Sequence, residues 1–465
     1  MLKKGLVFLF AGLITMAQTI DRTKPPETPP IPSYKMPPAH ETKLDNGLRV
    51  VLVEDPRFPL VTARLSFQAG SKFDPKDLPG LSETTAALLT QGTKTRSFRE
   101  IAEELATIGA SLNGNSSPDV LTIAGSVLAE NTPKFLDLLA DVALNPSFPE
   151  DEVQLRKQNR KQALLAQRSQ SSFLAREKFD EVVFGDHPYS HLGPSMEAID
   201  RMDQAAIRNF RDVHVIPNHA VLILLGRLPT RPEILKMVSD RFGSWQQKPV
   251  PQPPAARFPE SKRQLVLVDR PGSVQADIHI GRLSATRTDP GYYPLLVGNA
   301  ILGGGANSRL FNDVREKRGF AYDAHSELDR RKDTGVAAAV TQVRNEVVEP
   351  ALEAVFSNLV EMGKTPVTAV ELSDAKNYIS GVFVMSLETQ AGVADQIDLV
   401  KTMGLPNDYL EAFTQHVRSV EPDQIQAAVK KYFAPDQATI VVVGDASKIQ
   451  KPLEKFGSVT VEKAK

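Results

Sequence analysis

The passage Pro217-Asn218-His219-Ala220-Val221-Leu222-Ile223-Leu224-Leu225-Gly226 returns, in another spelling, as Pro435-Asp436-Gln437-Ala438-Thr439-Ile440-Val441-Val442-Val443-Gly444, 218 residues later. Each version opens on a turn-forming proline, runs through a short continuous apolar stretch and closes on glycine, which reads as a buried strand entered from a turn. The spacing recurs elsewhere. Residues 149–155 (PEDEVQL) match 366–372 (PVTAVEL) at an offset of 217, and 49–53 (RVVLV) match 264–268 (QLVLV) at an offset of 215. Three nearly equal offsets identify an internal repeat, one domain written twice. A proline cluster at 248–256 (KPVPQPPAA) falls between the copies and reads as a linker.

Within each copy the order is strands, then mostly helix, then the closing strand. Residues 48–55 (LRVVLVED) and 61–70 (VTARLSFQAG) carry adjacent-strand patterns, as do 263–269 (RQLVLVD) and 275–283 (QADIHIGRL). Helical periodicity follows over 98–108 and 150–167. The expected fold class is α+β: two tandem homologous domains, each a mainly antiparallel sheet covered by helices, with a cleft between them. The expected boundaries are 39–247 for the first domain, 248–257 for the linker and 258–460 for the second.

The 465 residues suffice for two to four domains, and 41% hydrophobic residues exclude general disorder. A formal net charge of -1 gives no electrostatic reason to expect a nucleic acid partner. No cysteine is present, so disulfides, thiolate nucleophiles and cysteine-bound metals are excluded. Residues 1–17 read as a signal peptide: Lys3 and Lys4 precede the apolar run 5–14 (GLVFLFAGLI), and cleavage is expected after Ala17. A buried N-terminal helix is the other reading, opposed by the proline-rich 24–38 (KPPETPPIPSYKMPP) inside a leader spanning 18–38. The apolar run is short for a membrane span, and no cysteine follows it for a lipid anchor. An exported protein without a stable membrane anchor is expected, periplasmic in a Gram-negative cell or secreted.

Ala69-Gly70-Ser71 leads to Gly80-Leu81-Ser82-Glu83-Thr84-Thr85-Ala86-Ala87-Leu88-Leu89-Thr90-Gln91-Gly92-Thr93, and residues 187–200 read HPYSHLGPSMEAID. The second half carries Leu302-Gly303-Gly304-Gly305, then Ser308-Arg309-Leu310-Phe311 and Val314-Arg315-Glu316-Lys317-Arg318-Gly319-Phe320-Ala321-Tyr322. Across essentially the whole mature chain this resembles the zinc peptidase family of mitochondrial processing peptidase, pitrilysin and insulin-degrading enzyme, in its two-domain bacterial form. The resemblance implies a LuxS/metallohydrolase-like fold of the processing-peptidase type. In that family the first helix reads GLAHxxEHxxxxGT, two histidines on one helix face holding zinc and the glutamate between them polarising the attacking water.

Here Glu83, Ala86 and Ala87 stand in the three motif places, and an alanine methyl offers no lone pair. The family's third ligand, a glutamate on a later helix, would fall near Ala166. Residues 153–176 contain neither Asp nor Glu, so no nearby register supplies it. No metal and no cofactor are expected in this chain. The pairs His187/His191 and His214/His219 are interrupted or flanked by prolines and read as turn histidines rather than ligands. The Gly303–Gly305 run lacks the lysine of a Walker loop and reads as a turn beside the cleft. The basic cluster Arg156, Lys157, Arg160 and Lys161 has two readings: a solvated helix face, or the lining of a cleft that favours acidic peptide.

What the resemblance retains is the second-domain pair Arg315 and Tyr322, which in the family face the zinc across the cleft and bind the substrate backbone. The competing reading has Arg315 paired with a helix-face acid and Tyr322 packed in the sheet. Some members of the family divide the work between a zinc-bearing chain and a chain carrying the arginine and tyrosine. The resemblance therefore implies a non-catalytic subunit, inactive alone. It would complete the peptide-binding chamber of a zinc-bearing homologous partner with an intact HxxEH, on peptide or unfolded-protein substrates, with the zinc in that partner. The alternative is a purely structural or peptide-binding protein of the same fold with no part in proteolysis.

Overall fold

The computed structural model describes residues 34–254 and 256–464. Residues 1–17, expected from the sequence to be a signal peptide, and most of the proline-rich stretch 18–38 lie outside the described residues.

Two six-stranded sheets organise the chain. The first takes β1 (Ala39–Lys43), β2 (Arg49–Glu54), β3 (Leu60–Phe67), β4 (Ser111–Ser116), β5 (Leu121–Leu128) and β6 (Ala220–Gly226), in the order β1-β2-β6-β3-β5-β4. The second takes β7 (Gln264–Asp269), β8 (Gln275–Ser284), β9 (Ala321–Arg330), β10 (Gly335–Arg344), β11 (Thr439–Gly444) and β12 (Val459–Lys463), in the order β12-β7-β11-β8-β10-β9. The repeated passages become β6 and β11, each inserted between a parallel and an antiparallel neighbour. The remaining pairings are antiparallel except β12 with β7. The copies differ at one edge: β1 precedes its neighbour and runs antiparallel to it, whereas β12 comes from the chain's end and runs parallel.

The sequence of β6, AVLILLG, is apolar without alternation, and every residue in it is buried. A strand of that kind needs cover on both faces of its sheet. The inner cover is local: Val50, Leu65, Leu222 and Leu224 pack in one core with Leu81, Phe135, Leu139 and Phe210 from helices of the same half. The outer cover comes from the other half. Val51, Val53, Val221, Ile223 and Leu225 share a core with Val393, Ala394 and Ile397 of the helix Gln390–Met403. The second sheet receives the reciprocal element, since Leu174, Ala175, Phe179 and Val183 of the helix Ser171–Phe184 pack on Val266, Val268, Val441 and Val443. At about 1.5–3 kcal/mol per buried large apolar side chain, each exchanged helix binds the two copies together more firmly than a linker could. The described residues accordingly form a single compact unit.

Polar contacts reinforce the exchange. The tip between β9 and β10 enters the first half, where Arg331 Nη2 meets Asp180 Oδ2 at 3.0 Å and Lys332 Nζ donates to Gln68 Oε1 at 2.6 Å. Lys72 Nζ lies 3.2 Å from both Asp119 and Asp333. No helix among the described residues is long and apolar enough to cross a membrane.

Candidate functional site

The helix Leu81–Leu88 lies directly over β4, and a Cβ at Gly114 would fall 1.9 Å from the Ala86 carbonyl oxygen. Only glycine permits that approach. The helix starts where Asp74 accepts the backbone N–H groups of Gly80 (2.7 Å) and Ser82 (2.8 Å), replacing the intrahelical partners those donors lack. Burial pushes the Asp74 carboxyl up to about 7 despite these two bonds.

Glu83 leaves this helix toward the helix Glu150–Arg168. Arg156 Nη2 donates to Glu83 Oε1 at 2.9 Å, and Arg160 Nε lies 3.4 Å from the same oxygen. Lys157 Nζ donates to the Asp200 carbonyl at 2.9 Å, and Lys161 pairs with the Asp200 carboxylate. The basic cluster is therefore neither a purely solvated face nor a free cationic wall, because its four charges have partners inside the chain. Arg156 and Arg160, four apart and on one face, are the residues of this helix that meet Glu83. Ala166, where the third ligand was expected, lies exposed further along it. A divalent cation placed here would meet one carboxylate, two alanine methyls and two guanidinium groups. The residues present do not fit zinc, and among the described residues no group of three or more His, Asp or Glu could hold a metal ion.

A cavity of about 670 Å³ adjoins the site, bounded by Ser82, Glu83, Pro118, Leu192, Arg331 and, from the linker region, Arg257. Its histidine, His191, follows the turn Pro188–Ser190. His187 accepts the Tyr189 N–H at Nδ1 (3.1 Å) and stacks on Phe258 at 4.3 Å, a packed turn residue. His214 ends the helix Gln204–His214, its ring 4.4 Å from that of Phe210, and burial pushes it down to about 4.

Arg315 belongs to a π-helical turn, Phe311–Lys317, that leads through Gly319 at φ +61° into β9. Its guanidinium carbon lies 4.5 Å from the centre of the Phe311 ring and 4.9 Å from that of Tyr322, both within cation–π range. A neighbouring acid is also present, with Glu316 Oε1 3.3 Å from Arg315 Nε. Tyr322 does not pack in the sheet, being 86% exposed. Sequence reading missed Phe311; its signal was an aromatic residue four positions before the arginine. The Gly303–Gly305 run closes the helix Tyr292–Gly303 at its C-terminal end, the negative end of the helix dipole and the wrong one for a phosphate.

The two sets are not brought together within the chain. Arg331, on the Glu83 cavity, and Tyr322 stand nine residues apart along β9 and its end, roughly 30 Å at about 3.3 Å per residue.

Comparison with known proteins accounts for both halves. Residues 49–191 match the model described as "Insulinase (Peptidase family M16)", and residues 201–379 match "Peptidase M16 inactive domain". The chain is 24% identical over 399 residues to the uncharacterized zinc protease YmxG of Bacillus subtilis, covering 85% of this chain and 96% of that one. It is 25% identical over 434 residues to an uncharacterized zinc protease of Mycobacterium tuberculosis, covering 92% and 98% respectively. Among solved structures, a peptidase M16 inactive domain from Pseudomonas fluorescens superposes with a TM-score of 0.82 at 27% identity, covering 88% of this chain and 98% of its own. A protease from Helicobacter pylori shares the fold, with a TM-score of 0.79 at 19% identity, covering 88% and 100%. The repeat, the paired sheets and the altered motif thus converge, and the chain belongs to peptidase family M16.

Proposed function

We propose that this protein is the non-catalytic subunit of a heterodimeric, exported zinc metallopeptidase. It completes the peptide-binding chamber of a zinc-bearing homologue with an intact HxxEH and presents Arg315 and Tyr322 to substrate held there. The observation that carries this reading is the exposure of Tyr322, 86%, with the Arg315 guanidinium on its ring. The resemblance to zinc proteases supports the choice of partner.

Each group has a defined task. The planar guanidinium donates to a substrate carbonyl oxygen, and the phenol donates to the oxygen on which negative charge develops. Phe311 and Tyr322 limit the directions the guanidinium can take, which lowers the entropy lost on binding. Peptide and unfolded-protein segments are the substrates, and bond cleavage takes place on the partner. The leader at 1–17 and 18–38 supports a periplasmic or secreted location.

The test is co-expression with a homologue encoded beside it that retains HxxEH, measuring complex mass and peptide hydrolysis on the same samples. A heterodimer more active than the homologue alone is expected. Separate chains with a fully active homologue, or no such homologue co-purifying from the source cells, would overturn the proposal in favour of a structural role.

A further inference from the structure

The segments that lead into the edge strands β4 and β9 are built differently in the two copies. In the first, the α-helix Phe98–Thr107 reaches β4 through Gly109; in the second, the π-helical turn Phe311–Lys317 reaches β9 through Gly319, and both glycines have φ +61°. Gly109 follows Phe98 by eleven positions, whereas Gly319 follows Phe311 by eight. The first copy thus makes with an ordinary helix the connection that the second makes with a π turn, a geometry that is rare, mostly single, and recurrent at functional sites.

Asp313 holds that geometry in place. The Arg318 backbone N–H donates to the Asp313 carbonyl at 3.2 Å, and Arg318 Nε donates to Asp313 Oδ1 at 3.0 Å, so backbone and side chain repeat the same five-residue span. An α register would set residue 317 against that carboxylate instead. The second oxygen, Oδ2, accepts from Asn358 Nδ2 at 2.8 Å, and the same amide nitrogen donates to the Ala354 carbonyl at 2.9 Å. Asn358 belongs to the helix Val348–Lys364, which is anchored in the core by Ala351, Leu352 and Val355. Just before the turn, the Arg309 fork closes on Glu371 of the helix Ala369–Ser386 at 2.7 and 3.0 Å. The turn is therefore tied to two helices, and its middle tie is the carboxylate of Asp313.

Arg315 lies inside this frame, two positions after Asp313 and next to the buried Val314. A change from five-residue to four-residue spacing would rotate Arg315 about the axis of the turn relative to Phe311 and alter its approach to Tyr322.

We infer that Asp313 is a positioning residue for Arg315: it fixes the π register in which the guanidinium rests against Phe311 and Tyr322. The inference rests on the reading of Arg315 as a donor to substrate. Asp313 itself takes no part in binding, since both its carboxylate oxygens accept bonds from within the chain.

Two variants test it. Asp313→Asn turns an N–H₂ group toward one of the two donors and breaks that tie, and Asn358→Leu removes the far end of the other. In the full-length chain the side-chain N–H resonance of Arg315, assigned by its loss in Arg315→Lys, is displaced by the ring currents of Phe311 and Tyr322, and each variant should move it toward the position of a free arginine. In the heterodimer each variant should lower kcat/KM by roughly three- to tenfold with assembly unchanged. Neither should lower it further in an Arg315→Ala background, whereas a substitution that merely weakened the fold would act in both backgrounds. An Arg315 resonance unmoved by both variants, a loss of the same size in the Arg315→Ala background, or wild-type hydrolysis in a heterodimer that Arg315→Ala does slow, would overturn the inference. If Arg315→Ala itself leaves hydrolysis unchanged, the trans-acting reading fails instead, and the resonance alone decides the role of Asp313.

Discussion

The helix carrying Glu83 and the segment carrying Arg315 hold ionic groups in opposite conditions. Glu83 is held by two arginines of its own chain. Arg315 rests between two aromatic rings, one of them turned almost entirely to solvent. Arg315 also has Glu316 Oε1 3.3 Å from its Nε, so the contrast rests on the exposed Tyr322 ring beside it rather than on an unpaired charge. The difference teaches that the place of the family's metal motif holds an ion pair internal to the chain, whereas Tyr322, with Arg315 against its ring, stands at a solvent-facing surface.

The largest expected effect concerns pH and the buried carboxyls, Asp74 beside the Glu83 helix and Asp398 on the exchanged helix. Burial pushes Asp74 up to about 7, well above the ordinary carboxylate range of an unfolded chain. Below that range both states are protonated and the contribution is intact. Between about pH 4 and pH 7 the unfolded state releases the proton while the native state keeps it, so stability falls as pH rises. Asp398, pushed up to about 6 by burial on the exchanged helix, acts in the same direction, whereas His214 and His279, pushed down to about 4 and about 3 by burial, act in the opposite one, so the carboxyl share is read from urea titrations as a difference between variants. Replacing Asp398 with Asn should remove its falling share, so that the wild type loses stability relative to the variant between about pH 4 and pH 6. A wild type whose stability rises relative to that variant through the window would contradict a buried, protonated Asp398.

Next in size is Arg315→Ala. Loss of a hydrogen bond from a charged donor, on the order of 1.5–3 kcal/mol, should lower the heterodimer's kcat/KM by roughly ten- to a hundredfold with assembly unchanged. Tyr322→Phe removes a neutral hydroxyl and should cost about 0.5–1.5 kcal/mol, a factor of roughly two to ten. If both variants assemble and hydrolyse peptide at the wild-type rate, the contrast with Glu83 has no functional meaning.

Glu83→Gln should change unfolding free energy by no more than about 1 kcal/mol, less at high salt, because the pair is only partly buried. Peptide hydrolysis by the heterodimer should not change. The smallest response is expected on writing the motif back. A chain with Glu83→His, Ala86→Glu and Ala87→His should retain no stoichiometric zinc by elemental analysis, since Arg156 and Arg160 still face the site and residues 153–176 offer no carboxylate as third ligand. Tight zinc binding by that variant would mean that the arginines yield the space readily.

The amino-acid sequence by itself determined the duplication, the α+β class and the loss of the metal motif. These are local or periodic features, since a continuous apolar run such as 220–226 states that both faces of its strand are covered, and an alanine cannot ligate. It did not state what supplies the outer cover. The residues of the helices Ser171–Phe184 and Gln390–Met403 do not name the sheet they cover, since an apolar side chain records the need for a partner without its address. Only the tertiary structure decided that each sheet borrows a helix from the opposite copy. The same holds for the sites: Arg156 and Arg160 are each more than seventy positions from Glu83 in the chain, and the exposure of Tyr322 follows only once the π-helical turn has placed Arg315 against it and Phe311. Charge pairing and solvent exposure depend on distances between remote segments, which the order of residues does not contain.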